Sequence, residues 1–100
     1  MMKGVLIMLL DDYDMKILKE NFDEDFLNKL DYDNVNKIYN YLINLGVYYA
    51  KDLFLSDAYL FEYSYDEFVL KFDKLILELG DDFIDMLGED CSLINSMYDN

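Results

Sequence analysis

Two stretches of the chain carry apolar side chains at the three- and four-residue spacing of an amphipathic helix, and a glycine follows each stretch. The apolar positions of the first stretch are Val35, Ile38, Tyr39, Leu42 and Leu45, and asparagines line its opposite face. Those of the second stretch are Phe68, Phe72, Leu75, Ile76 and Leu79. Gly46 and Gly80 come next, as expected for glycines that end helices in a left-handed conformation. The pattern predicts two helices, each with a buried side.

The second helix has features at its start and on its outer side that extend the prediction. Ser64-Tyr65-Asp66-Glu67 has the spacing of a capping box, which predicts the beginning of the helix. Leu70 and Leu77 lie on the face opposite the apolar stripe. A helix that is apolar on two sides is either sandwiched between neighbours or presents a contact surface. Of these two arrangements, we favour the sandwiched one.

The remaining segments predict shorter helices and no sheet. These shorter helices are expected at about 5–20, 23–30, 49–55, 83–87 and 92–97. The aromatic stretch 58–63 could form a strand, but a lone short strand has nothing to pair with. The prediction is therefore an all-α fold.

The two glycines lie 34 residues apart, and the same offset aligns further similar residues. It places Val35 on Val69, Lys37 on Lys71, Ile38 on Phe72 and Leu45 on Leu79. A period of this length is typical of helical arrays in which each unit buries its face on the next. We predict one domain over 1–100, with an N-terminal partial unit at 1–32 and repeats at 33–66 and 67–100.

The repeated segments resemble the repeat of the mitochondrial transcription termination factor (mTERF) family. The resemblance rests on Val35-Asn36-Lys37-Ile38 through Leu45-Gly46, on Asp52-Leu53-Phe54-Leu55 and on Asp57-Ala58-Tyr59-Leu60, and the pattern recurs over 68–94. Units of that family contain a long helix ending in Leu-Gly, a short helix and a short turn. The resemblance implies a short helical-repeat array and, as the activity of the family, nucleic-acid binding. The proline typical of the turn is missing here, and Asp57-Ala58 stands near its place.

A tetratricopeptide repeat is the alternative with the same period. It would use Leu45-Gly46-x-x-Tyr49 together with Ala58. It also requires helix to continue through Gly80-Asp81-Asp82, where the composition favours a break. We therefore rank it second.

Charge and composition exclude several functions. The 100 residues include 22 acids against 8 lysines, with no arginine or histidine, and the net charge is −14. No segment is basic, so the chain lacks the footprint of direct phosphate binding, and an anionic membrane would repel it. Without a histidine base or an arginine clamp, and with a single cysteine, we expect no enzyme, no metal site and no cofactor.

Two local patterns change this expectation little. Asp31-Tyr32-Asp33 begins like a calcium-binding loop, but Asn36 stands where glycine is required and Leu42 where glutamate is required. Cys91 follows two acids, which disfavours the reactive thiolate, and an unpaired cysteine suits a reducing cytoplasm.

The apolar run 5–10 is too short for a signal peptide or a membrane helix. We therefore expect a cytoplasmic location.

Tyrosine is the residue type that points most directly to binding. Seven of the ten tyrosines lie within 27 residues: Tyr39, Tyr41, Tyr48, Tyr49, Tyr59, Tyr63 and Tyr65. They cannot all be core, and exposed tyrosine among carboxylates is typical of protein-binding surfaces, because the ring offers a large and rigid contact area. The candidate partner-binding residues are Tyr48, Tyr49, Tyr63, Asp81, Asp82 and Asp85.

These observations favour a non-catalytic, acidic, helical binding module with a basic protein as its partner. More specifically, we hypothesise that the protein is an inhibitor that occupies the basic nucleic-acid-binding surface of an enzyme. Small acidic phage proteins that block host defence nucleases, including many anti-CRISPR proteins, are similar to this chain in size and charge. The alternative is an mTERF-like nucleic-acid-binding or scaffold protein.

Overall fold

The computed structural model describes residues 10–99, and all of their regular elements are helices. The six α-helices are α1 (Asp12–Asn21), α2 (Glu24–Lys29), α3 (Tyr32–Leu45), α4 (Ala50–Ser56), α5 (Tyr65–Leu79) and α6 (Phe83–Glu89). Two 3₁₀ helices follow α4 and α6, at Ala58–Glu62 and Cys91–Asp99. The predicted all-α fold is confirmed, and the aromatic stretch after α4 is helical.

Within the described residues, α1 begins at Asp12, inside the predicted segment 5–20. The Asp11 carboxylate accepts a hydrogen bond from the backbone N–H of Asp14 at 2.8 Å, and the Asp14 carboxylate accepts one from the N–H of Asp11 at 3.1 Å. This reciprocal capping box starts α1 at Asp12. Residues 5–9 of the predicted segment lie outside the described residues. Lys51 of α4 then pairs with Asp14 at 3.0 Å and joins the two helices.

The two glycines that end the long helices adopt different conformations. Gly46 is left-handed, at φ 97° and ψ 9°, and the N–H of Val47 donates to the Leu42 carbonyl across it. Gly80 has φ 83° but ψ −162°, a region that is essentially restricted to glycine. The left-handed prediction is therefore right for Gly46 and wrong for Gly80. At Gly80 the chain opens into a turn in which the N–H of Phe83 donates to the Gly80 carbonyl.

The order of elements after α2 occurs twice. A long helix, a short helix and a 3₁₀ helix follow one another as α3, α4 and 58–62, and again as α5, α6 and 91–99. The break expected at Gly80-Asp81-Asp82 is confirmed, because α5 ends at Leu79 and α6 begins at Phe83. Beyond this order of elements, the internal repeat and the mTERF resemblance stay predictions.

The core is built around a run of phenylalanine rings. Ring centroids lie 5.1 Å apart for Phe54 and Phe61, 5.7 Å for Phe61 and Phe68, and 5.7 Å for Phe68 and Phe72. All four side chains are fully buried. The run passes from α4 through the first 3₁₀ helix into α5, so it holds the two halves of the chain together. The predicted stripes are confirmed: most of their side chains are buried, and those that are partly buried are Tyr39, Leu45, Ile76 and Leu79.

The outer side of α5 differs from the prediction. Leu70 is 61% exposed and Leu77 is 83% exposed, so the expectation that α5 is sandwiched is wrong. The elements α3, α6 and the second 3₁₀ helix pack on α5, and Phe61 of the first 3₁₀ helix contacts Phe68. They cover the side that carries Phe68 and Phe72, because these rings contact Tyr41 and Phe72 also contacts Phe83. The Leu70 and Leu77 side is left to solvent within residues 10–99.

Candidate partner-binding surface

Tyr48 and Tyr49 lie side by side in the connection from α3 to α4, but they face different surroundings. Tyr48 is 79% exposed, whereas Tyr49 is only 9% exposed and belongs to the core. Their rings meet edge to face with centroids 5.0 Å apart. The N–H of Tyr48 donates a hydrogen bond to the Gly46 carbonyl at 2.9 Å. This tight turn fixes the backbone position from which the exposed Tyr48 ring projects.

This connection packs directly on α6. The Tyr49 hydroxyl donates to the carbonyl of Ile84 at 2.5 Å. A Cβ added to Gly88 would lie 3.2 Å from the Tyr49 ring, and one added to Gly46 would lie 3.2 Å from Cδ1 of Ile84. The expectation that the Tyr49 ring is exposed is therefore wrong, because the ring fills the space between α4 and α6. Its role is to hold the Tyr48 segment against α6.

The three candidate aspartates lie at the start of that same helix. Asp81 and Asp82 form the turn before α6, and Asp85 lies in its first turn. All three are exposed, and the side chain of Asp82 makes no capping hydrogen bond although it occupies the N-cap position. We call Tyr48 together with these three aspartates the Tyr48 surface. The hydrogen bond from Tyr49 to Ile84 holds the connection that carries Tyr48 against α6, more than 30 positions further along the chain.

The surroundings of Tyr49 change the pKa of its phenol. This pKa is raised to about 12, mainly by burial and also by the nearby Cys91, Tyr48 and Asp85. Both the low exposure and the neighbouring negative charge of Asp85 disfavour a phenolate at this position. Tyr49 therefore stays protonated and keeps its hydrogen bond to Ile84 at neutral pH.

The raised pKa of Tyr49 predicts a pH dependence of stability. The phenol holds its proton more tightly in the folded chain than in the unfolded chain, where its pKa is 10. Its contribution is therefore fully present below about pH 10 and is lost as the pH rises toward 12. We expect the free energy of unfolding to fall more steeply over this interval for wild type than for Tyr49→Phe, as measured by urea unfolding. Equal slopes would contradict the assignment, because both proteins keep every other tyrosine.

Tyr63 lies away from the Tyr48 surface. Its carbonyl accepts a hydrogen bond from the Asn34 side chain at 2.6 Å, and Nζ of Lys71 lies 5.0 Å from its ring centroid. Asn34 is in the first turn of α3, whereas Tyr48 follows the last turn, which is roughly 16 Å further along the helix axis. The structure therefore does not group Tyr63 with the other candidate residues.

Other tyrosines close contacts between elements. Tyr41 donates its hydroxyl to Asp73 at 3.0 Å, and its ring meets Phe68 and Phe72 edge to face. Burial, followed by Asp73, raises the pKa of Tyr41. The helical periodicity places Tyr41 beside the apolar stripe of α3, and it gives no sign that α5 covers the ring.

Residues 10–99 contain no cluster of three or more acidic, cysteine or histidine side chains that could hold a metal ion. In the same range, no helix has the length and apolar character needed to cross a membrane. The whole chain matches no family model, no curated protein and no solved structure. The candidate surface is therefore interpreted from its own geometry and charge.

Proposed function

We propose that the protein is a non-catalytic binding module whose Tyr48 surface binds a basic protein partner. The observation that carries the proposal is that Tyr48 is exposed on a connection which the buried Tyr49 holds against α6, the helix whose start carries three exposed acids. Tyrosine is enriched among the residues that dominate binding energy at interfaces. A ring that is already positioned loses little conformational freedom when a partner covers it.

The charge of the chain supports a basic partner. A net charge of −14 on 100 residues produces a negative field that accelerates encounters with positively charged surfaces at low salt. Surfaces that bind nucleic acid are basic for the same electrostatic reason. The proposed activity is therefore competitive inhibition: the acidic module occupies the phosphate-binding surface of a nucleic-acid enzyme in the cytoplasm, as anti-CRISPR-like phage proteins do.

A capture experiment tests this proposal. Immobilised protein is exposed to lysate of the cells in which it acts, and bound proteins are eluted with duplex DNA. We expect to capture a basic protein that duplex DNA displaces. We expect this protein to dissociate faster from the Tyr48→Ala variant, because the variant lacks a side chain that the partner would bury on binding. Tyr13→Ala is the matched control, since Tyr13 is 69% exposed on α1. Capture that neither duplex DNA nor Tyr48→Ala affects would contradict the proposal.

An mTERF-like nucleic-acid-binding scaffold is the second candidate, and the repeated order of long helix, short helix and 3₁₀ helix is the observation that favours it. Direct binding to duplex DNA separates the two. We expect no dissociation constant tighter than about 1 μM at physiological salt, because phosphate contacts supply most non-specific affinity and this chain repels them. Tighter binding, measured by fluorescence anisotropy without divalent cations, would favour the scaffold.

A further inference from the structure

The outward side of α5 presents two leucines in a line. Leu70 and Leu77 are seven residues apart, which places them on the same side of the helix and about 10 Å apart along its axis. Leu77 has the largest exposed fraction among the large apolar side chains of the described residues. Single exposed leucines are common on protein surfaces. Two in a line, on a helix whose other side is fully packed, form a ridge.

The ridge is held rigidly by the packing beneath it. The inner side of α5 carries Phe68 and Phe72, whose stacked rings are fully buried. Next to the ridge, the Asp73 carboxylate accepts a hydrogen bond from Tyr41 of α3. The backbone that presents Leu70 and Leu77 is therefore fixed before any partner arrives.

Charged side chains border the ridge, and most of them are acidic. The exposed charged residues of α5 are four acids and one lysine: Asp66, Glu67, Asp73, Glu78 and Lys74. At about 100° per residue, Asp66 and Asp73 lie along one side of the leucines, and Glu67 and Lys74 lie along the other. Lys71 points elsewhere, because it is buried with its ammonium group over the Tyr63 ring. A partner is therefore offered an apolar line with two acids on one side and one acid and one lysine on the other, a border with a net negative charge.

The geometry points to a second docking surface, at which the Leu70–Leu77 ridge binds an amphipathic helix of a partner protein. The partner helix would carry apolar residues at three-, four- and seven-residue spacing, bordered by lysine or arginine. A ridge of this kind matches the mode in which a helix lays its apolar face on a complementary surface. A second copy of this chain fits less well, because the borders of both ridges carry a net negative charge and like charges repel. The ridge shares no residue with the Tyr48 surface and goes beyond the function proposed for it.

A designed peptide tests this inference. The probe is a helix of about 18 residues with leucine at three- and four-residue spacing and lysine elsewhere, and its control is a scrambled peptide of the same composition. We expect the patterned peptide to bind the full chain about tenfold more tightly than the scrambled one, as measured by fluorescence anisotropy. Leu70→Gln with Leu77→Gln should weaken its binding about tenfold, because glutamine keeps the helix and removes the apolar contact.

Two matched variants locate the effect. Met15→Gln with Ile43→Gln removes two exposed apolar side chains from α1 and α3 and should leave peptide binding unchanged. Tyr48→Ala should also leave it unchanged, so failure of this inference is distinguishable from failure of the proposed function. Equal affinity for patterned and scrambled peptides, or equal loss in both double variants, would overturn the inference in favour of unspecific charge attraction.

Two further results would overturn the inference, because each would show that something other than a partner helix covers the ridge. A dimer in sedimentation equilibrium that the Leu70→Gln, Leu77→Gln variant dissociates would assign the ridge to a second copy of the chain. Nuclear Overhauser contacts between the methyl groups of Leu70 or Leu77 and residues 1–9 would assign it to the N-terminal segment. A monomer without such contacts that binds the patterned peptide selectively would support the inference.

Discussion

Replacing Phe72 by alanine is expected to lower the free energy of unfolding by about 3–5 kcal/mol. The ring is fully buried and stacks on Phe68, with centroids 5.7 Å apart and planes inclined by 12°. It also meets Phe83 of α6 and Tyr41 of α3 edge to face, so three helices share it. The cavity left by alanine would remove dispersion contacts on all of these sides. Urea unfolding followed by helical circular dichroism measures the change.

Leu77→Ala is the matched control for Phe72→Ala, because it truncates another large apolar side chain on the same helix. Leu77 is almost fully exposed, so we expect a change within about 0.5 kcal/mol. Similar losses for the two variants would contradict the assignment of an inner and an outer side to α5. A spectrum dominated by strand would contradict the fold itself.

Replacing Asn34 by alanine is expected to cost about 2–4 kcal/mol, because one side chain supplies three hydrogen bonds. Its amide donates to the carbonyls of Phe61 at 3.3 Å and Tyr63 at 2.6 Å. Its carbonyl oxygen accepts from the N–H of Tyr65 at 2.9 Å. Asn34 thereby fastens the connection between the first 3₁₀ helix and α5 to the first turn of α3.

Asn40→Ala provides the comparison for Asn34→Ala in the same unfolding measurement. Asn40 lies on the same helix and is exposed, so both substitutions change helix propensity alike while only one removes the three bonds. Asn34→Asp should not rescue the loss, because a carboxylate oxygen would then face the carbonyls of Phe61 and Tyr63, and two acceptors repel each other. Equal losses for the two alanine variants would show that the bonds contribute little.

Local signals in the sequence predict most of the helices. The apolar spacing identifies α3 and α5 because their buried sides repeat with the helical period, and Ser64 marks the start of α5. In the structure, the Ser64 hydroxyl accepts a hydrogen bond from the N–H of Glu67, as the capping pattern predicts. Gly46 and Gly80 mark the two ends because positive φ excludes most other residues there. The start of α1 at Asp12 is less evident, since the apolar run before it continues the same pattern.

Contacts between distant segments account for what the sequence does not predict. The period shows that α5 is apolar on two sides, but only the placement of its neighbours decides that Leu77 is uncovered. Tyr48 and Tyr49 are adjacent and identical in type, but they differ in exposure because α6 covers only Tyr49. The residue of α6 that accepts the Tyr49 hydrogen bond, Ile84, lies 35 positions further along the chain. The contacts of Asn34 span 27–31 positions. No local pattern distinguishes it from the other asparagines of α3.

The proposed function requires the acids of the Tyr48 surface to steer the partner more strongly than an equal number of acids elsewhere on the chain. Two charge reversals of equal size test this requirement: Asp81, Asp82 and Asp85 to lysine, and Asp23, Glu24 and Asp25 to lysine. Both sets are exposed at the start of a short helix, and neither N-cap side chain makes a capping hydrogen bond, so their costs in stability are matched.

The decisive measurement is the association rate constant of each folded variant with the captured partner at low salt. We expect the reversal at α6 to slow association about tenfold or more, and the reversal at α2 to slow it much less, because steering depends on charges near the interface. For wild type, rising salt should slow association as the exposed charges are screened. Equal association rates for the two triple variants would contradict the proposed function and leave the acids at α6 as an ordinary solvated face.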